Sequence, residues 1–146
     1  MGLDRKGINE NGAQGGKVLV VEDDPAVNRI LRVCLRSAGF DATQAETGGD
    51  ALRQLEAMLF DAVLLDLGLP DGRGGDVLKR LQDAPWPRSP VWVVISALDE
   101  DEAARRYGPI RGVYIPKPFD PWEVIRTLQR LLASRDGASF GEPSLA

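Results

Sequence analysis

The chain has 146 residues, 43% hydrophobic and 27% charged, the composition of one globular domain large enough to bury a real core. A formal net charge of −4 argues against non-specific nucleic-acid binding, and the single cysteine, Cys34, excludes an internal disulfide and fits a reducing cytoplasm. The absence of histidine removes His-based triads and ordinary zinc sites, and no apolar stretch reaches the length of a membrane span.

Residues 1–16 are rich in Gly and Asn without apolar periodicity and are expected to form a disordered leader. Val18 to Val21 is a buried β-branched strand that runs into Glu22-Asp23-Asp24-Pro25, where Asp24 and Pro25 read as the cap and first residue of a helix. Val27, Ile30, Leu31, Cys34, Leu35 and Ala38 recur at helical spacing until Gly39, which makes Cys34 a small core residue. A second strand covers Phe40 to Ala45. Thr47 then caps a helix with Leu52, Leu55 and Leu59 on its apolar face and Asp50 placed for a capping box.

The third strand, Ala62 to Asp66, is an unbroken apolar run that places a carboxylate at its end, before a Pro70-Asp71-Gly72 turn. A helix from about Arg73 to Leu81 turns Val77, Leu78 and Leu81 inward. Three prolines stiffen the link to the fourth strand, Val91 to Ser96. Asp99 to Tyr107 forms a short helix with acids in its first turn and Arg105 and Arg106 in its last, and Gly108-Pro109 stops it. Val113 to Ile115 is the fifth strand, followed by Lys117-Pro118-Phe119. Asp120-Pro121 then opens a helix bearing Val124, Ile125, Leu128, Leu131 and Leu132. Residues 17–134 thus form one domain, with 135–146 as a flexible tail. Strand and helix alternate five times with short links. The fold class is therefore α/β, a doubly wound parallel sheet with helices on both faces.

All strand ends of a parallel sheet lie on one edge, so Glu22, Asp23, Asp66, Ser96 and Lys117 can meet there although they are distant in sequence. Clustered carboxylates repel unless a cation intervenes, and a few carboxylates with room for phosphate oxygens suit Mg²⁺. A lysine and a hydroxyl nearby suit the oxygens of a phosphoryl group carried by Asp66.

V-L-V-V-E-D-D-P, V-L-L-D-L-G-L-P-D-G, V-I-S-A and Y-I-P-K-P-F, in this order, resemble the receiver domain of bacterial two-component response regulators over about Lys17 to Ala133. The resemblance implies a flavodoxin-like five-stranded sheet of order 2-1-3-4-5. Asp66 becomes the phosphoacceptor, and Glu22, Asp23, Asp66 and the Gly68 backbone carbonyl become ligands of Mg²⁺, with Mn²⁺ an acceptable substitute. Ser96 and Lys117 are expected at the phosphoryl group, Tyr114 as the aromatic switch and Lys117-Pro118 as a cis bond. The implied partners are a histidine kinase or phosphotransfer protein and, through the face of the fourth helix, fifth strand and fifth helix, a second copy of the chain. No membrane or direct nucleic-acid contact, a cytoplasmic location and no turnover enzyme are expected.

Some features depart from the family pattern. The segment from Ser96 to Lys117 is slightly short, Gly108-Pro109 cuts the fourth helix, and Gly75 replaces an aliphatic residue, so the third helix is expected to pack loosely at its start. Gly68 leaves the site open to water. The D-L-G-L-P-D-G wording resembles receivers joined to winged-helix effectors; both a stand-alone receiver and part of a longer regulator fit. The alternative function is a degenerate receiver acting as a phosphorylation-independent interaction module. A phosphohydrolase is disfavoured because the acid expected two residues after Asp66 is Gly68, and a flavin module because the acids repel a cofactor phosphate.

Overall fold

The computed structural model describes residues 15–137, with side chains through residue 135. Of the expected leader 1–16 and tail 135–146, residues 1–14 and 138–146 lie outside the described residues, whereas Gly16 already belongs to a strand and residues 135–137 to a helix, so regular structure reaches past both expected boundaries. Five parallel strands, β1 (Gly16–Val21), β2 (Phe40–Ala45), β3 (Ala62–Asp66), β4 (Val91–Ser96) and β5 (Val113–Pro116), form one sheet in the order β2-β1-β3-β4-β5. Helices α1 (Pro25–Ser37), α2 (Gly48–Ala57), α3 (Gly74–Asp83), α4 (Glu100–Tyr107) and α5 (Pro121–Gly137) make the connections. Among the described residues, no helix is long and apolar enough to cross a membrane.

Strand periodicity divides the core in two. Val18, Val20, Leu64, Val93 and Ile95 face α1 and α5, where they meet Leu31, Leu35, Val124, Ile125 and Leu128. Their neighbours Leu19, Val21, Val63, Leu65 and Val94 face α2 and α3 and pack with Leu55, Val77, Leu78 and Leu81. Each such leucine, fully removed from water, contributes about 1.5–3 kcal/mol before entropy is counted. Both faces of the central strands are thus consumed, which is why β3 reads as an unbroken apolar run. Cys34 is buried in the first of these layers, as its spacing predicts.

The helix starts follow their caps. Asp24 Oδ1 accepts the Ala26 and Val27 amides at 2.9 and 3.3 Å, and Pro25 opens α1. Thr47 accepts the Asp50 amide at 3.0 Å, but the predicted capping box does not close, because the Asp50 carboxylate takes Arg53 and Gln54 instead. Helix α2 ends at Ala57, which leaves Leu59 outside it and exposed. Ile30 is also exposed: at 3.6 residues per turn it stands about 100° from Leu31, whereas Asn28 stands within about 60° and is fully buried.

Helix α3 starts one residue later than the sequence predicts and runs to Asp83, and its beginning is not loose. A Cβ at Gly75 would lie 3.0 Å from Tyr107 Cδ1, so an aromatic ring from α4 occupies the space of the expected aliphatic side chain. Helix α4 ends at Tyr107, as Gly108-Pro109 predicts, and Gly108 caps it with a φ of 87° that suits glycine.

Candidate functional site

Strand register sets the site. Val21 pairs with Leu65, Asp66 with Ile95 and Ser96 with Pro116, so Glu22, Asp66, Ser96 and Lys117 emerge along one edge. The buried runs behind them fix those endpoints, and the loops begin where the runs stop.

Glu22 is 1% exposed and Asp66 5%, while Asp23 faces solvent. One carboxylate oxygen from each lies within 4.8 Å of the other two. Lys117 Nζ enters between the buried pair, 2.9 Å from Glu22 Oε1 and 3.0 Å from Asp66 Oδ2. Its backbone is tied to the neighbouring strand by Lys117 N–H donating to the Ser96 carbonyl at 2.8 Å. The Lys117-Pro118 bond is cis, as the resemblance implies.

Burial pushes the Glu22 carboxyl above the usual carboxylate range, and the Lys117 ammonium and the Asp24 amide offset this only in part. Burial alone would lower the Lys117 pKa, but the two carboxylates outweigh it and hold the ammonium above its ordinary value. Glu22 Oε1 has Lys117 as an ionic neighbour but no aligned hydrogen bond among the described residues. A donor set made only of carboxylate oxygens, two of the three carboxylates buried, fits a hard divalent cation. Glu22, Asp23 and Asp66 are the side chains that could hold it.

Gly68 completes the rim. Its N–H donates to Asp66 Oδ1 at 3.1 Å, and a Cβ there would stand 3.8 Å from that oxygen without a clash. Ser96 is buried, and its Oγ accepts the Leu98 amide at 3.2 Å. Tyr114 is half-buried against the α2/α3 core layer and its hydroxyl donates to the Leu98 carbonyl. Burial raises the Tyr114 phenol pKa, so the group is a neutral donor. Ser96, Leu98 and Tyr114 therefore form one hydrogen-bonded chain along the β4–α4 loop.

Four supporting residues escape the sequence reading. Asn28 Nδ2 donates to the Glu22 carbonyl at 2.8 Å, and Arg32 Nε donates to Asn28 Oδ1 at 2.7 Å, which fixes the backbone beneath Glu22. The Asp71 carboxylate accepts the Gly48, Gly49 and Arg73 amides at 3.1, 2.9 and 3.2 Å and anchors the loop after Asp66 to the start of α2. Gly74 admits α3 to that loop, since a Cβ there would fall 2.2 Å from the Leu67 carbonyl oxygen. An acid in a Pro-Asp-Gly turn was the one visible signal for Asp71; a polar residue inside an apolar helical face was the signal for Asn28.

Comparisons with known proteins agree with this geometry. The profile of the response regulator receiver domain matches residues 18–129. The transcriptional regulatory protein KdpE of Mycobacterium tuberculosis is 34% identical over 122 residues, which cover 84% of this chain and 53% of KdpE. The chain thus spans about half the length of that relative. A CheY-like receiver domain from Methylobacillus flagellatus superposes with a TM-score of 0.68 at 29% identity, over 79% of this chain and 97% of that one. The receiver domain of a sensor histidine kinase from Pseudomonas aeruginosa, solved with magnesium in its active-site cleft, gives 0.70 at 30% identity over 82% and 99%. With the 2-1-3-4-5 sheet, the acidic rim and the match over most of its length, the chain belongs to the response regulator receiver domain family.

Proposed function

We propose that this chain is a phosphoacceptor receiver in which Asp66 takes a phosphoryl group from a histidine kinase or phosphotransfer protein. The observation that carries this reading is the single ammonium shared by two buried carboxylates, with a third carboxylate oxygen inside 4.8 Å. Two buried carboxylates against one ammonium leave a residual negative charge that a divalent cation would neutralise. The same completeness favours a phosphoacceptor over a degenerate interaction module.

In the proposed reaction an Asp66 oxygen attacks the donor phosphorus. The aspartyl P–O bond forms as the P–N bond of phosphohistidine breaks, and the imidazole leaves with the bonding pair. Before attack, Lys117 and the Gly68 N–H hold the carboxylate in place. Afterwards Lys117 faces the phosphoryl oxygens, and Ser96 offers its hydroxyl to them. Bound at Glu22, Asp23 and Asp66, with the Gly68 carbonyl, Mg²⁺ or Mn²⁺ supplies the charge that offsets carboxylates and phosphoryl group. The domain promotes its own phosphorylation and slow dephosphorylation, without turnover of other substrates.

The signal follows from the β4–α4 loop. Drawing Ser96 Oγ toward a phosphoryl oxygen takes the acceptor away from the Leu98 amide, and Tyr114, bonded to the Leu98 carbonyl, moves with the loop. The face of α4, β5 and α5 then changes for a protein partner or a second copy, in the cytoplasm and without DNA contact by this domain. Incubation with acetyl phosphate and Mg²⁺ tests the reading by intact mass. The wild type should gain one phosphoryl group and Asp66→Asn none; undiminished labelling of the variant refutes the assignment.

A further inference from the structure

Tyr107, the last residue of α4, reaches the loop after Asp66 from outside the site. Its hydroxyl lies 3.4 Å from the Leu67 carbonyl oxygen, and its ring packs over Gly75. That carbonyl also accepts the Leu69 amide at 3.0 Å, and Gly74 closes on it from the other side. The Leu67 C=O and the Gly68 N–H belong to one planar peptide unit, so turning one turns the other. The Gly68 N–H is the group that donates to Asp66 Oδ1 at 3.1 Å. A three-link line therefore runs from the Tyr107 ring, through one peptide plane, to the Asp66 carboxylate.

The chain just after Tyr107 is tied to α3. Arg111 donates its amide to Gln82 Oε1 and its guanidinium to the Gln82 carbonyl and to Asp83 Oδ1, at 3.3 and 2.7 Å. Gln82 Nε2 in turn donates to the Pro109 carbonyl at 3.2 Å. The segment that leaves α4 is thus clasped to the end of α3, the helix on which the Tyr107 ring packs at Gly75.

We propose that Tyr107 is a positioning residue for the phosphoacceptor, orienting the Asp66 carboxylate through the Leu67–Gly68 peptide. This rests on the reading of Asp66 as phosphoacceptor. It gives α4 a second line to the site, separate from the one through Ser96, Leu98 and Tyr114. At 3.4 Å the hydroxyl contact is long for an O–H···O bond, so the packing of the ring on Gly75 and on the core layer that includes Leu67 carries most of the effect.

The test compares wild type, Tyr107→Phe, Tyr107→Ala and Gly75→Ala. Three quantities are read: the urea midpoint, exchange of the Leu69 amide in metal-free protein, and the rate of labelling by acetyl phosphate with Mg²⁺. Residues bonded directly to a ligand typically matter about 10–100-fold, so one acting through a peptide should give about a threefold to tenfold loss of labelling rate in Tyr107→Ala and under about twofold in Tyr107→Phe. Leu69 exchange should accelerate in Tyr107→Ala beyond the acceleration of β3 amides. Should Tyr107→Ala not fold, Gly75→Ala, which pushes the ring from 3.0 Å, must slow labelling with Leu69 exchange altered. A lowered midpoint with labelling and relative Leu69 exchange unchanged overturns the proposal. A wild type that takes no label overturns the Asp66 reading and the positioning role with it, whereas a labelled wild type with unmoved variants overturns the positioning role alone.

Discussion

Replacing Lys117 by methionine isolates the electrostatics of the site, because methionine keeps most of the aliphatic stem and removes the ammonium. In the metal-free protein the Glu22 and Asp66 side chains, only 1% and 7% exposed, would then face each other uncompensated. Two unit charges at the 4.8 Å limit of this cluster repel by about 3.5 kcal/mol at an effective dielectric of about 20. Removing one partner of a buried ion pair typically costs about 3–5 kcal/mol, so a loss of about 3 kcal/mol at neutral pH is expected.

The loss should be conditional. Glu22 already titrates above the usual carboxylate range, and without Lys117 its folded-state pKa rises further. A raised carboxyl pKa means that the folded state binds the proton more readily than the unfolded one. The variant therefore gains stability as pH falls from neutral through the folded pKa toward the unfolded value. A divalent ion binds only the folded site and stabilises it by mass action, more tightly once the competing ammonium is gone. Urea unfolding in EDTA and in MgCl₂, at neutral and mildly acidic pH, measures this directly. An equal loss under all conditions would show that Lys117 acts through packing alone and refute the argument.

Two other substitutions probe the rim. Gly68→Met places a side chain beside Asp66 Oδ1, where a Cβ fits at 3.8 Å, and should slow loss of the phosphoryl group by shielding it from water; an unchanged decay of label over time counts against this. The Gly49 amide, helped by those of Gly48 and Arg73, holds the Asp71 carboxyl below the usual range. With a depressed pKa, its contribution is present above the unfolded value and lost as pH falls through the folded one. Asp71→Asn should therefore lower the thermal midpoint at neutral pH, and the gap to wild type should close in acid, as melting curves across pH will show.

The acidic rim was legible because β-strand burial leaves little freedom. An apolar run such as Val91 to Ile95 must end where the sheet ends, so the polar residue that follows it, Ser96, is placed by the pattern itself. Helical faces are less constrained. Periodicity locates their centre, but the angular limits of burial depend on the neighbouring element, so Asn28 at one edge of the α1 stripe is buried while Ile30 at the other edge, assigned inward, is exposed. Leu59 failed for a related reason, since the helix that would have carried it ends at Ala57. Asp71, Gly74 and Tyr107 act across loops, where sequence separation gives no distance.

Two of the departures from the family pattern explain each other. Read separately, Gly75 is a weak point in α3 and Gly108-Pro109 a truncation of α4. In the folded chain the Tyr107 ring needs the room that Gly75 leaves, and the early stop at Gly108 frees the segment through Arg111 to grip Gln82 and Asp83. A longer α4 would have to displace that clasp, and a larger residue at 75 would have to displace the ring. With its C-terminal end fixed to α3 in this way, α4 is free to respond chiefly at its start, where Asp99 caps it and Leu98 joins Ser96 to Tyr114. Under the proposed function, the part of the α4, β5 and α5 face left to respond is therefore the β4–α4 loop, next to the hydroxyl that a phosphoryl group on Asp66 would recruit.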